Sequence, residues 1–233
     1  MAQDDIKPVS VLVVEGQDEV IFFGRLFKHL LIDKETFLIY EAKGISEIEN
    51  QLKRITVTFS DDSKRNDKML RYVAVVCDVD KKGIAGQFKA MSNLFSRVNK
   101  HNVKNESGAT LLPIPERHKE LSEIENGLQT AVYVMPGDDA HGTMLEGLCL
   151  QYLNDREKER MACIEALLKC AELKHKKEEK AKLQIALAFE EGKKDKKGPR
   201  SSVGSAAQDD IWNFDHEAFK DVKTFLQQIT HDL

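Results

Sequence analysis

Four short apolar runs constrain this chain more than any other feature: "VSVLVVEG" (9–16), "TFLIYEA" (36–42), "YVAVVCD" (72–78) and "AVYVMP" (131–136). Each is rich in β-branched and aromatic residues, and none shows the strict apolar–polar alternation of a strand with one wet face. Such runs belong to strands covered on both sides, as in a parallel sheet between helices. The intervening segments carry a helical period instead. Val20, Phe23, Leu26, Phe27 and Leu30 follow the first run, Ile45, Ile48, Leu52 and Ile55 the second, and Phe88, Met91, Leu94, Phe95 and Val98 the third. "ATLLPI" (109–114) reads as a further short strand, and a helix is expected from near Thr143 to about Leu153. Strand alternating with helix predicts an α/β fold: a three-layer, Rossmann-like domain with a mainly parallel central sheet.

The pattern changes beyond residue 155. "REKERMACIEALLKCAELKHKKEEKAKLQIALAFEEG" predicts one long or two shorter amphipathic helices, with apolar faces at Met161, Ile164, Leu167, Leu168 and at Leu183, Ile185, Leu187. A Lys-, Gly- and Ser-rich stretch predicts a mobile basic loop at about 190–208. A closing helix then docks Phe219, Val222, Phe225, Leu226 and Ile229 on the body, with Trp212 as an anchor. The expected division is therefore a domain over residues 1–155 that carries the chemistry and a helical C-terminal extension over 156–233.

Several classes are disfavoured. No apolar run approaches the roughly 20 residues needed to span a bilayer, and "MAQDDIKPVS" lacks the basic-then-apolar order of a secretory signal. A cytoplasmic protein without membrane contact is expected. Cys77, Cys149, Cys163 and Cys170 form no C-x-x-C pair, which predicts buried free thiols rather than disulfides or a zinc site. Neither a P-loop nor G-x-G-x-x-G occurs.

The net charge of −4 is unevenly distributed, because residues 169–200 hold eleven Lys or Arg against six Asp or Glu. A basic segment can neutralise phosphates, which makes Lys193, Lys194, Lys196, Lys197 and Arg200 candidate nucleic-acid contacts. A mixed Lys/Glu run is also the ordinary composition of a solvated helix face.

In open α/β sheets, ligands bind beyond the carboxyl ends of the strands. Glu15 ends the first run, Asp78 and Asp80 end the third, and Asp138 and Asp139 follow the fourth, so these carboxylates are expected on one rim. Two aspartates one residue apart on a strand share a face. Mg²⁺ takes oxygen ligands, and a cation removes the cost of crowding like charges. Each residue also has a structural role open to it. Asp78 and Asp80 can cap the next helix, Asp18 and Glu19 sit where a helix N-terminus favours acids, and Glu146 lies three residues after Thr143 in a capping-box spacing. Asp138 and Asp139 suit a turn after Pro136 and Gly137, His141 suits a solvated loop, and His216 precedes a helix that Asp215 or Asn213 would cap.

"VVEGQDE" followed by "CDVDKKG" resembles the paired signature motifs of the Toprim domain, shared by topoisomerases, bacterial primases, small ribosomal-RNA maturation nucleases and the overcoming-lysogenization-defect nucleases. The resemblance covers roughly residues 9 to 155 and puts Glu15, Asp78, Asp80 and Gly83 at the motif positions, with Gly16 where a tight turn into a helix needs freedom. "VYVMPGDDAHGTMLEGL" and "SVGSAAQDDIWNFDHEAFKDVKTFL" resemble free-standing bacterial Toprim-like proteins related to the last of those nucleases. The strand-passage domains of a topoisomerase have no room here; Tyr40, Tyr72 and Tyr133 fall in predicted strands and Tyr152 in a helix. No zinc module of a primase is visible.

What the resemblance implies is a nuclease dependent on Mg²⁺ or Mn²⁺. Glu15, Asp78 and Asp80 would hold the metal, Asp18, Glu19 and Glu146 are further carboxylates for a two-metal site, and Lys81 and Lys82 are placed to stabilise phosphate charge. DNA in preference to RNA, a role in phage defence or DNA repair, an operon-encoded protein partner and a homodimer are the associated expectations. Two other readings stay open: a regulatory module that binds metal or nucleic acid without turnover, and a different phosphoryl-transfer enzyme on the same scaffold.

Overall fold

The computed structural model describes residues 7–60, 68–79, 83–105, 108–137, 144–170, 178–190 and 202–230. All four apolar runs are strands: β1 (Lys7–Val14), β2 (Phe37–Glu41), β3 (Lys68–Asp78) and β4 (Gln129–Met135). They form one parallel sheet in the order β2-β1-β3-β4. The register shifts between Val9 and Ser10 of β1, where β3 carries an extra residue, Arg71. Helix α1 (Gln17–His29) joins β1 to β2, α2 (Ile48–Thr58) joins β2 to β3, and α3 (Gly83–Lys104) joins β3 to β4.

Side-chain alternation sorts the helices into layers. Val9, Val11 and Val13 of β1 point to one face with Val73, Val75 and Cys77 of β3, and there α2 and α3 pack through Ile48, Leu52, Ile55, Leu94 and Phe95. Leu12 and Val14, with Ala74 and Val76, point to the other face and meet Phe22, Phe23, Leu26 and Phe27 of α1. The chain leaves β1 outward to β2 and returns to β3 on the opposite side of β1, so the topological switch lies between β1 and β3. The crevice at their carboxyl ends is the place where this architecture binds ligands.

The C-terminal half adds α4 (Leu145–Arg156), α5 (Lys158–Cys170), α6 (Glu178–Ala188), α7 (Val203–Gln208) and α8 (Lys220–Gln228), the last preceded by a 3₁₀ turn at Glu217–Phe219. These helices share the α1-side apolar cluster with the sheet. Phe22 meets Phe23, Phe214 and Phe219 with ring centroids 5.4, 5.4 and 5.9 Å apart, and Tyr152 meets Trp212 edge-on at 5.8 Å. Trp212 is the expected anchor: it is buried, and its indole N–H donates to the Val203 carbonyl at 3.1 Å. Phe219, Val222, Phe225, Leu226 and Ile229 are all buried, and Ser10 of β1 donates its hydroxyl to the Ile229 carbonyl at 3.3 Å. The tail thus closes on the strand with which the fold begins.

Several expectations are corrected. The loop expected through residue 208 gives way at Ser202, because Val203, Gly204, Ala206 and Ala207 bury themselves in α7; residues 191–201 lie outside the described set. "ATLLPI" forms no strand of the sheet: Asn99 takes both the N–H and the carbonyl of Leu112, at 2.9 and 2.7 Å, and the Thr110 N–H goes to the Thr56 carbonyl at 3.2 Å. Leu167 and Ile45 are exposed: the face of α5 that meets the core is set by Met161, Ile164 and Leu168, and Ile45 lies in a 3₁₀ turn (Ile45–Glu47) that precedes α2. Among the described residues, no helix is long and apolar enough to cross a membrane.

The cysteines split into two classes. Cys77 and Cys149 are buried, but Cys163 and Cys170, on the outer face of α5, are exposed. Burial pushes the thiols of Cys77 and Cys149 far up, and neighbouring carboxylates add to the effect. A thiol reagent is expected to modify two cysteines in the native protein and all four in denaturant. Four reactive thiols under native conditions would contradict the packing of β3 and α4.

Candidate functional site

β1 ends at Val14, which leaves Glu15 as the first residue beyond the sheet. Its backbone is pinned, because the Gly44 N–H donates to the Glu15 carbonyl at 2.8 Å. Its side chain reaches across to β3, where Oε1 accepts the backbone N–H of Asp78 at 2.9 Å. Asp78, the last residue of β3, shares a strand face with Ala74 and Val76 and therefore points to the α1 side of the sheet. There its Oδ1 accepts the N–H of Leu145, the first residue of α4, at 3.2 Å. The local N-cap residue, Met144, offers no side-chain bond, so a carboxylate from a neighbouring strand caps α4.

Glu146 follows in the first turn of α4, and Asp18 and Glu19 occupy the first turn of α1. Together with Asp78 they line a pocket of about 390 Å³ at the switch point, which Lys180 of α6 and Val203 of α7 also line. Burial, and then the charges of Glu15, Glu19 and Glu146, push the Asp78 carboxyl up to about 8, against a smaller lowering by the Leu145 amide. Glu19 is raised as well, by burial foremost and then by Glu15, Glu146 and Asp18, with its own backbone hydrogen bond opposing. Glu19 and Glu146, separated by more than 120 positions, therefore act on one another electrostatically.

The donor set consists of carboxylate oxygens, which suits a hard divalent cation such as Mg²⁺ or Mn²⁺ rather than a thiophilic one. The crowding that adds to burial in raising Asp78 is also what a divalent charge relieves. Among the described residues no group of three or more His, Cys, Asp or Glu side chains is already arranged to hold a metal ion. Asp80, the other half of the D-x-D pair, lies outside those residues, as do Lys81, Lys82, Asp138, Asp139, His141, Thr143, Lys193, Lys194, Lys196, Lys197 and Arg200.

Gly83 opens α3 at φ +70°, a conformation that suits glycine. Gly16 is different from expectation. Its φ of −145° and ψ of −178° are open to any residue, and its constraint is space, since a Cβ there would sit 3.1 Å from the Glu19 carboxylate. His216 caps the turn at Glu217–Phe219 itself, its Nδ1 accepting the Ala218 N–H at 3.2 Å, where a neighbouring Asp or Asn was expected.

Two contributions from the tail were not anticipated. Lys180 approaches Glu146 to 3.8 Å, and Ser202 donates its hydroxyl to Asp18 Oδ1 at 2.7 Å. Lys180 sits in a mixed Lys/Glu run with nothing to distinguish it. The small-residue pattern "SVGSAA" carried a usable signal, because Gly and Ala at close spacing permit one helix to approach another.

The chain belongs to the family described as a protein of unknown function, DUF3226, whose model matches residues 9–231. It is similar in fold to the crystal structure of a hypothetical protein from Pyrococcus horikoshii OT3, with a TM-score of 0.56 and 17% identity over 96% of this chain and 95% of that one. No curated protein matches the sequence.

Proposed function

We propose that this protein is a divalent-cation-dependent phosphodiesterase that cleaves nucleic acid, DNA in preference to RNA, on a Toprim-like α/β scaffold. The observation that carries the reading is the convergence of Glu15, Glu19, Asp78 and Glu146 at the β1/β3 switch point, where burial first and that crowding second push the Asp78 carboxyl up. Gathering like charges in a half-buried crevice costs stability, and a bound divalent cation relieves that cost.

Glu15 and Asp78 are the residues that would hold Mg²⁺ or Mn²⁺, with Asp80 as the second half of its motif and Asp18, Glu19 and Glu146 as the carboxylates beside them. A bound cation supplies a polarised phosphoryl oxygen and an activated water. The chain's own groups supply orientation and charge. The Glu15 bond to the Asp78 amide fixes the two strand ends relative to each other. The N-termini of α1 and α4 both open on the pocket and favour anionic groups there, and Lys180 adds a positive charge at its wall. A phosphodiester thus meets positive potential at the edges of an acidic centre.

The test is cleavage of supercoiled plasmid, linear duplex, single-stranded DNA and structured RNA with Mg²⁺, Mn²⁺ or EDTA, comparing wild type with Glu15→Gln. Metal-dependent cutting that falls about a hundredfold or more in the variant is expected, with nucleic-acid binding retained and weakened steeply by salt. Metal-independent cutting, or equal cutting by the variant, would remove Glu15 from the chemistry. Cation binding without cleavage of any substrate would favour the regulatory module instead.

A further inference from the structure

The turn into α7 makes more contacts than a helix cap requires. Ser202 is extended, with φ −146° and ψ 163°, and its Oγ accepts the Ser205 N–H at 3.2 Å while Ser205 Oγ accepts the Ser202 N–H at 3.2 Å. That reciprocal box uses a lone pair of the Ser202 hydroxyl and leaves its proton to be donated. The proton goes to Asp18 Oδ1 at 2.7 Å, on a helix 184 residues earlier in the chain. Gly204 presses the same place. A Cβ there would lie 2.7 Å from Asp18 Oδ1, 3.0 Å from its Cα and 3.2 Å from its carbonyl oxygen, so α7 seats against the backbone of α1's first turn. The Trp212 indole, bonded to the Val203 carbonyl, holds α7 from behind.

We infer that Ser202 is a positioning residue for the acidic site, an inference that rests on the cation-dependent reading proposed above. Its hydroxyl fixes one oxygen of Asp18, and because a carboxylate is planar, this sets the direction of the other. Asp18 lines the pocket with Glu19, Asp78 and Glu146. Hydrogen-bonding partners behind metal-binding groups orient them and tune their affinity, and their loss typically weakens metal binding about 10–100-fold. The tail is then part of the site: α7 is an outer support for a carboxylate delivered by the first helix.

The two serines of the capping box separate this role from plain helix stability. Ser205→Ala removes one side of the box and leaves the Ser202 hydroxyl facing Asp18; Ser202→Ala removes both the cap and the Asp18 bond; Ser202→Thr keeps a hydroxyl at an acceptable N-cap. Full-length wild type and the three variants are titrated calorimetrically with MnCl₂ and melted by circular dichroism. The expected result is Mn²⁺ affinity weakened about tenfold in Ser202→Ala, near wild type in Ser202→Thr, and unchanged in Ser205→Ala although its melting temperature falls. Wild-type affinity in Ser202→Ala, or equal weakening in both alanine variants, overturns the positioning role alone. A wild type that binds neither Mn²⁺ nor Mg²⁺ overturns the cation reading and this inference with it.

Discussion

Asp78→Asn is expected to abolish metal-dependent cleavage and, without metal, to make the protein more stable than wild type by a margin that grows with pH. The sign follows from the direction of the shift. Asp78 in the folded chain is pushed up to about 8, whereas in the unfolded chain it titrates near the ordinary carboxylate value, about 4. Below pH 4 both states carry the proton and the group contributes no pH dependence. Between pH 4 and 8 the unfolded state has released a proton that the folded state keeps, so stability falls as pH rises, by at most about 1.4 kcal/mol per pH unit for one group. Above pH 8 the loss is complete. Raised Glu19 bends the curve the same way, while Glu49, lowered by its hydrogen bonds to Lys53 and Arg97, bends it the other way.

The comparison with Asp78→Asn isolates the one group. Asparagine cannot ionise, but its carbonyl oxygen can still accept the Leu145 N–H that caps α4. Denaturant melts of both proteins in EDTA at pH 5, 6, 7 and 8 should therefore diverge, with the variant ahead. Added Mg²⁺ should narrow the gap by stabilising wild type only, since a ligand that binds only the folded state raises its stability by mass action. Parallel curves in EDTA would mean that Asp78 is neither crowded nor desolvated, and the convergence of carboxylates would fail as an account of the pocket.

Why Asp78 was legible and its supports were not is a matter of range. Strand identity is a local property: unbroken β-branched runs announce β1 and β3, and the end of a strand is visible where Gly16 and Gly83 interrupt the pattern. The rule that ligands gather at strand carboxyl ends then brings Glu15 and Asp78 together without any knowledge of distances. Glu146 and Glu19 were legible for the same reason, each lying in the first turn of a helix that starts at that rim. Ser202 reaches the pocket because the aromatic contacts of Phe214, Phe219 and Trp212 fold the tail back over α1 and α4, and Lys180 because Leu183, Ala186 and Leu187 seat α6 in the same apolar cluster. The small residues of "SVGSAA" mark a close approach but not its partner, and nothing beside Lys180 marks one. Solvent exposure of α5 was misjudged for a related reason. With Cys163, Ala166 and Leu167 on its outer face, its composition does not distinguish inside from outside, and only the packing of Met161, Ile164 and Leu168 does.

The second large effect is expected from Gly137→Ala, at the turn that follows β4. Gly137 has φ +97°, which costs a residue with a side chain about 1–2 kcal/mol. The space is also taken: a Cβ would lie 2.3 Å from Asp221 Oδ2 and 2.9 Å from the Tyr133 hydroxyl. Neither neighbour can retreat cheaply. Asp221 Oδ2 accepts from Lys119 Nζ at 2.7 Å and from the Tyr133 hydroxyl at 3.2 Å, and Tyr133 is fully buried against Phe225 with ring centroids 5.1 Å apart. Displacing Asp221 therefore breaks its hydrogen bonds to Lys119 and Tyr133, each worth about 0.5–1.5 kcal/mol net, leaves the Tyr133 hydroxyl with the Pro136 carbonyl at 3.1 Å, and loosens α8 from the sheet. The sum is on the order of 3 kcal/mol, or roughly 10 °C in melting temperature for a chain of this size. Asp221→Ala supplies the control. It removes the group that the new methyl would strike, so Gly137→Ala combined with Asp221→Ala should cost less than the two single losses added, as substitutions in contact do. Strict additivity, or a Gly137→Ala protein that melts with wild type, would show that β4, Tyr133 and α8 do not meet as described.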